Sequence, residues 1–178
     1  MDFNKNERSN LLTGSFRDRQ SAEQAYNRMK DRGYTDEEIN IIMSDDTRKK
    51  YFDKDDKRES DFGNKSLEGA GAGSAIGGTI GAAVGIIAAI GTSLAIPGLG
   101  LIIAGPIAGG LAGAGAGGLA GGIVGALVGA GIPEDRAKEY ERGIKEGNIV
   151  MGVRPRSEDD ANYLKEDWEQ HQGEGIYR

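Results

Sequence analysis

Residues 10–44, NLLTGSFRDRQSAEQAYNRMKDRGYTDEEINIIMS, change their hydrophobic period twice. Leu12, Gly14 and Phe16 alternate, the period of a half-buried strand. Ser21 with Gln24 three residues on is a capping-box pattern. Ala22, Ala25, Tyr26 and Met29 then follow at helical spacing, and Gly33 is placed to end the helix. Thr35 with Glu38 suggests a helical turn, after which Ile39, Ile41 and Met43 alternate again. The stretch reads as β-α-β.

The other end of the chain repeats this order. Pro133 suits the first helical position, Glu134 and Asp135 suit the positive helix end, and Ala137, Tyr140 and Ile144 make a narrow apolar stripe that Gly147 closes. NIVMGVR then puts Ile149, Met151 and Val153 on one side of a strand. Ser157 caps a helix that turns Ala161, Leu164 and Trp168 inward, and Gly175 to Tyr177 reads as a short final strand. The segment Gly14-Ser-Phe-Arg17-Asp-Arg19 is echoed by Gly152-Val-Arg154-Pro-Arg156. Two such halves predict an α+β fold, the ferredoxin-like split βαβ sandwich: an antiparallel sheet with two helices on one face and the other face open. Residues 1–44 form the first half and 133–178 a helix plus the second half. Residues 45–68, with mixed charges, read as a solvated linker.

Between the halves lie residues 69–132, which contain no charged residue, no aromatic residue and 22 of the chain's 30 glycines. Glycine recurs every fourth position at Gly69, Gly73, Gly77, Gly81 and Gly85, and again at Gly105, Gly109, Gly113, Gly117, Gly121, Gly125 and Gly129. Residues four apart share a helix face, so each series would form a groove without side chains in which a second backbone can approach closely. Pro97, Gly98 and Gly100 break the pattern and predict the turn of a glycine-zipper helical hairpin. Glycine costs roughly 0.8–1 kcal/mol per helical position relative to alanine in water. In hydrocarbon an unpaired backbone group costs several kcal/mol, which drives the same stretch to helix. Both arms exceed the roughly 20 residues that span a bilayer. Arg48, Lys49, Lys50 and Lys65 before the insertion and Arg136 and Lys138 after it agree with both ends being cytoplasmic.

The net charge of −6 and pI of about 4.9 supply no positive field for a phosphate backbone, so nucleic acid is not expected as a partner. Without cysteine there is no disulfide, thiolate metal site or cysteine nucleophile. The opening MDFNKNERSN has no apolar core of a secretory signal. Gly113-x-Gly115-x-x-Gly118 matches a dinucleotide fingerprint only as a string, since no strand precedes it. Gly63-Asn-Lys65-Ser66 is a fragment of a phosphate loop, and Asp53 to Asp61 lacks the ligand spacing of a calcium loop. His171, the only histidine, sits near a helix end and reads as a capping residue. No catalytic residue, cofactor, metal or small-molecule substrate is expected.

The chain resembles a family of bacterial general stress proteins, the general stress protein 17M-like group of heat-induced or low-temperature-induced small proteins. The resemblance is carried by TGSFRDRQSAEQAYNRMKDRGYTDEEINII, by the IPGLG turn followed by AGPIAG, by GIPEDRAKEYERGIKEGN and by the closing helix. It implies a stress-response association and a ferredoxin-like domain, and it carries over no catalytic residue. The long charged linker, 45–68, departs from the family. The combined expectation is a non-enzymatic protein on the cytoplasmic side of the cell membrane, with the lipid bilayer and other copies of itself as partners through the hairpin. Two alternatives stay open: a soluble cytoplasmic homo-oligomeric module, and a small-ligand sensor using the open sheet face.

Overall fold

The computed structural model of the chain describes residues 10–52, 94–96, 100–108 and 121–178. Six strands form one antiparallel sheet: β1 (Leu12–Phe16), β2 (Ile39–Ser44), β3 (Leu94–Ile96), β4 (Leu101–Ala104), β5 (Ile149–Val153) and β6 (Glu174–Tyr177). Their order is β3-β4-β2-β5-β1-β6. The helices are α1 (Arg19–Asp31), α2 (Asp45–Phe52), α3 (Gly122–Gly129), α4 (Glu134–Glu146) and α5 (Glu158–Gln170).

Strand β5 lies at the centre of its half, with Leu12 opposite Val153 on one side and Ile39 opposite the same residue on the other. Alternation sends Leu12, Phe16, Ile39, Ile41, Met43, Ile149, Met151 and Val153 to one face, where α1 adds Tyr26 and Met29 and α5 adds Leu164 and Trp168. Trp168 meets the Phe16 ring edge-on, with centroids 5.5 Å apart. A Cβ at Gly14 would lie 2.9 Å from Trp168 Cε3, so the indole needs a glycine beneath it.

The second face is also covered, unlike the open face expected from the split βαβ pattern. Leu11, Ile42, Leu101, Ile103 and Val150 pack there against Ile123, Ala126 and Leu127 of α3 and Ala137, Tyr140 and Ile144 of α4. The physical reason is the apolar stripe of α4 itself, which the continuous hydrophobic side of the sheet buries. An apolar side chain of this size gains roughly 1.5–3 kcal/mol on burial.

The described part of residues 69–132 departs from a helical hairpin. The chain on either side of Pro97-Gly98-Leu99-Gly100 pairs as strands, Ile96 with Leu101 and Leu94 with Ile103, and β4 extends the sheet beside β2. Leu101-Ile-Ile-Ala carries no glycine and is buried on both sides, Ile102 and Ala104 toward one face and Leu101 and Ile103 toward the other. A short apolar run of this kind fits a doubly covered strand better than a helix face. Further on, α3 is helical for eight residues. Among the described residues no helix is long and apolar enough to cross a membrane.

Two local readings also shift. The linker expected from residue 45 begins with α2, capped by Ser44, whose Oγ accepts from the Thr47 N–H at 3.1 Å. Phe52 is buried at its end with the Arg19 guanidinium 5.5 Å from the ring centre. The N-cap of α1 is Asp18 rather than Ser21, because its carboxylate accepts both the Ser21 N–H, at 2.8 Å, and the Ser21 hydroxyl, at 3.0 Å. Ser157 caps α5 as its sequence predicts, accepting from the Asp160 N–H at 3.0 Å. Asp18→Ala and Ser157→Ala are each expected to cost about 1 kcal/mol in urea unfolding, and Ser21→Ala less than either. An equal loss at Ser21 would restore it as the cap.

Candidate functional site

The glycines expected to pack helix on helix fall into two groups. Gly69, Gly73, Gly77, Gly81, Gly85, Gly109, Gly113 and Gly117 lie outside the described residues, as do Pro97, Gly98, the fingerprint-like Gly113 to Gly118 and the acidic run from Asp53. Gly105, Gly121, Gly125 and Gly129 are described, and they do different things.

Gly105 ends β4 at φ +90° and sits against the backbone of β2. A Cβ there would overlap the Ile39 carbonyl oxygen and lie 2.9 Å from Asn40 Cα. Its glycine requirement is therefore that of a strand-ending turn in close backbone contact. In α3 the buried side is Ile123, Ala126 and Leu127, while Gly129 and Val128 face outward, Val128 with 42% of its surface exposed. The glycine side of α3 is thus turned away from the domain's own core. Gly100, in the other turn, has φ +60° and its carbonyl accepts from the Asp45 N–H at 2.8 Å.

Charged chemistry concentrates where the two halves meet. Asp160, on the first turn of α5, is buried and accepts hydrogen bonds from the Tyr34 hydroxyl and the Arg32 Nε–H. Burial raises the Asp160 pKa, but hydrogen bonds from Tyr34, Arg32 and the Arg156 N–H outweigh it and hold the carboxyl below its ordinary value. Burial first, then the bond to Asp160, pushes the Tyr34 hydroxyl up to about 12. Arg156 lies 4.4 Å from the Tyr34 ring centre and donates to Glu38 at 3.0 Å and to the Gly33 carbonyl at 3.0 Å. Each carboxylate in this group has its cation, and each hydroxyl its acceptor. The arrangement clamps the loop after α1 to the start of α5.

A second buried polar group lies under α4. The Tyr140 hydroxyl donates to Thr13 Oγ1 at 2.9 Å or to the Gly175 carbonyl at 2.8 Å, and burial pushes its pKa up to about 12. Asn148 Nδ2 donates to Ser15 Oγ at 3.1 Å. These bonds satisfy groups that the covering helix removes from water. His171 lies at the end of α5 with Nδ1 2.7 Å from the Asp167 carbonyl, the capping position read from the sequence. Among the described residues no group of acidic or histidine side chains could hold a metal ion.

The covered second face leaves one end open. Leu11, Pro106, Ile107 and the Gly129–Ala130–Gly131 turn surround a cleft of about 440 Å³, with Glu38, Asn40 and Arg154 as its polar lining. Sequence reasoning missed this cleft because it depends on α3 and α4 sharing one face. The repeated Arg154 motif was the one signal that touched it. Compared with known proteins, the chain matches no family model, no curated protein and no solved structure.

Proposed function

We propose that the chain is a non-enzymatic bacterial general stress response protein, held to the cytoplasmic face of the cell membrane by its glycine-rich, charge-free stretch. The domain reads as a ferredoxin-like split βαβ unit extended by the β3–β4 hairpin. The order β2-β5-β1-β6, with α1 and α5 on one face, supports that reading. The family resemblance in residues 131–148 and 13–42 supports the stress-response assignment.

The observation that carries the anchoring proposal is that the elements on either side of residues 53–93, which include an uncharged glycine-rich stretch, belong to one sheet domain. Phe52 ends α2 and Leu94 begins β3, and both elements pack on β2 or β4 of one sheet. The uncharged residues before β3 begin at Gly69. Crossing a bilayer and returning takes roughly 40 residues, and residues 69–93 are too few for two passes. A single pass would separate β3 from its sheet. These lengths favour a wedge in one leaflet over a double crossing as the form of the proposed anchor.

Cell fractionation followed by a high-pH membrane wash tests the anchor. The protein is expected to stay with the washed membranes, and Gly73, Gly77 and Gly81 replaced together by Leu are expected to lose self-association while gaining apolar surface. Unchanged assembly of that variant would remove the zipper argument. Recovery in the soluble fraction as a defined oligomer would favour the second reading, a soluble homo-oligomeric module.

A further inference from the structure

The cleft at the open end of the second sheet face combines apolar and charged lining, and nothing in the anchoring proposal uses it. Its apolar surround comes from Leu11, Pro106, Ile107 and Ala130. Its volume of about 440 Å³ falls within the range of small-molecule pockets. The wall is held in place from within. Asn40, buried on β2, accepts the Ile107 N–H at 2.8 Å through Oδ1 and donates to the Gly152 carbonyl at 3.2 Å through Nδ2. That one side chain ties the chain after Gly105 to the sheet, so the cleft is formed before anything enters it.

The charges at the cleft are unequal in what they have left to give. Glu38 accepts from the Thr35 N–H at 2.8 Å and from the Arg156 guanidinium at 3.0 Å, which satisfy its carboxylate. Arg154, exposed, directly follows β5, and among the described residues it has no ion pair or hydrogen bond. The cleft thus offers apolar walls and one guanidinium without a partner among the described residues. A guanidinium presents paired N–H donors that match a carboxylate, a stronger contact than one to a neutral hydroxyl.

We propose that this cleft binds a small organic monocarboxylate with an unbranched apolar body, its chain between Ile107 and Ala130 and its carboxylate on Arg154. The inference is independent of membrane anchoring, because the cleft is built by residues of the folded domain.

Titration of the full-length protein with decanoate, decanol and inorganic phosphate, followed by calorimetry and by amide chemical shifts of residues 128–132 and 152–155, tests it. Decanoate is expected to saturate with shifts confined to the cleft and to bind at least about tenfold more tightly than decanol or phosphate. Arg154→Gln is expected to remove that preference while leaving the unfolding midpoint unchanged, since the side chain is exposed. Ala130→Leu, which fills the cleft, is expected to abolish binding of both decanoate and decanol. Equal affinity for decanoate and decanol, undiminished decanoate binding by Arg154→Gln, or shifts that fall outside the cleft would each overturn the proposal. Binding to phosphatidylglycerol vesicles without binding of free decanoate would overturn it as well.

Discussion

Gly105→Ala is expected to destabilise the domain by about 4 kcal/mol in urea unfolding, the sum of a left-handed backbone penalty and an overpacking penalty. The position has φ +90°, and the added Cβ would run into the carbonyl of Ile39 and the Cα of Asn40. Both obstacles are backbone atoms of β2, which is paired on its two sides by β4 and β5 and cannot retreat. Gly100→Ala provides the internal control. That glycine also has positive φ, +60°, but nothing lies within 4 Å of its Cβ position. Its loss is expected to be about 1–2 kcal/mol, the conformational cost alone. Equal effects at the two positions would mean that the close approach to β2 is not what keeps residue 105 a glycine.

Asp160→Ala is expected to cost about 3 kcal/mol in the same assay. Removing the carboxylate leaves the buried Tyr34 hydroxyl without its acceptor and takes away the ion-pair partner of Arg32 and the longer of two bonds from the Arg156 N–H. Asp160→Asn retains the shape and an acceptor oxygen and is expected to cost less. The same bonds set a pH dependence. The folded-state pKa of Asp160 is lowered from 3.8, so the unfolded chain takes up the proton first as pH falls. Its contribution is complete above the unfolded value and is lost as pH drops through the folded one. Wild type is therefore expected to lose stability below about pH 4 more steeply than Asp160→Asn, measured as unfolding midpoint against pH. Parallel profiles would show that the Asp160 charge contributes nothing to the clamp.

The elements whose period was unbroken could be read from the residues alone. The strands around Phe16, Ile41, Met151 and Ile176 and the inward residues of α1, α4 and α5 stand where alternation and helical spacing put them. Gly147 ends α4 in the left-handed conformation at φ +101°, as its place after the stripe predicts. What could not be read is where a local pattern met a tertiary demand. The second four-residue glycine repeat begins at Gly105, so the pattern predicts a helical arm through a position where the chain instead ends β4 at φ +90°. Leu101 to Ala104 are apolar without alternation, a pattern equally compatible with a buried helix or a strand until β2 is there to pair with them.

The site was harder to read than the fold for a related reason. Glu38, Asn40, Ile107, Ala130 and Arg154 are distant in sequence and meet only because α3 and α4 close the second face and stop short of its end. No spacing rule connects them. The clamp of Arg32, Tyr34, Arg156 and Asp160 likewise joins residues of the two halves. The echo between Gly14 to Arg19 and Gly152 to Arg156 pointed toward the ends of the matching strands, but it gave no partner for either arginine.

Hydrogen–deuterium exchange of the full chain, with and without anionic lipid vesicles, tests the anchor most directly. If residues 69–93 wedge into one leaflet, their amides slow markedly when vesicles are added, while those of β1, β2 and β5 exchange at the same slow rate in both conditions. Exchange across 69–93 that lipid leaves unchanged would contradict the account.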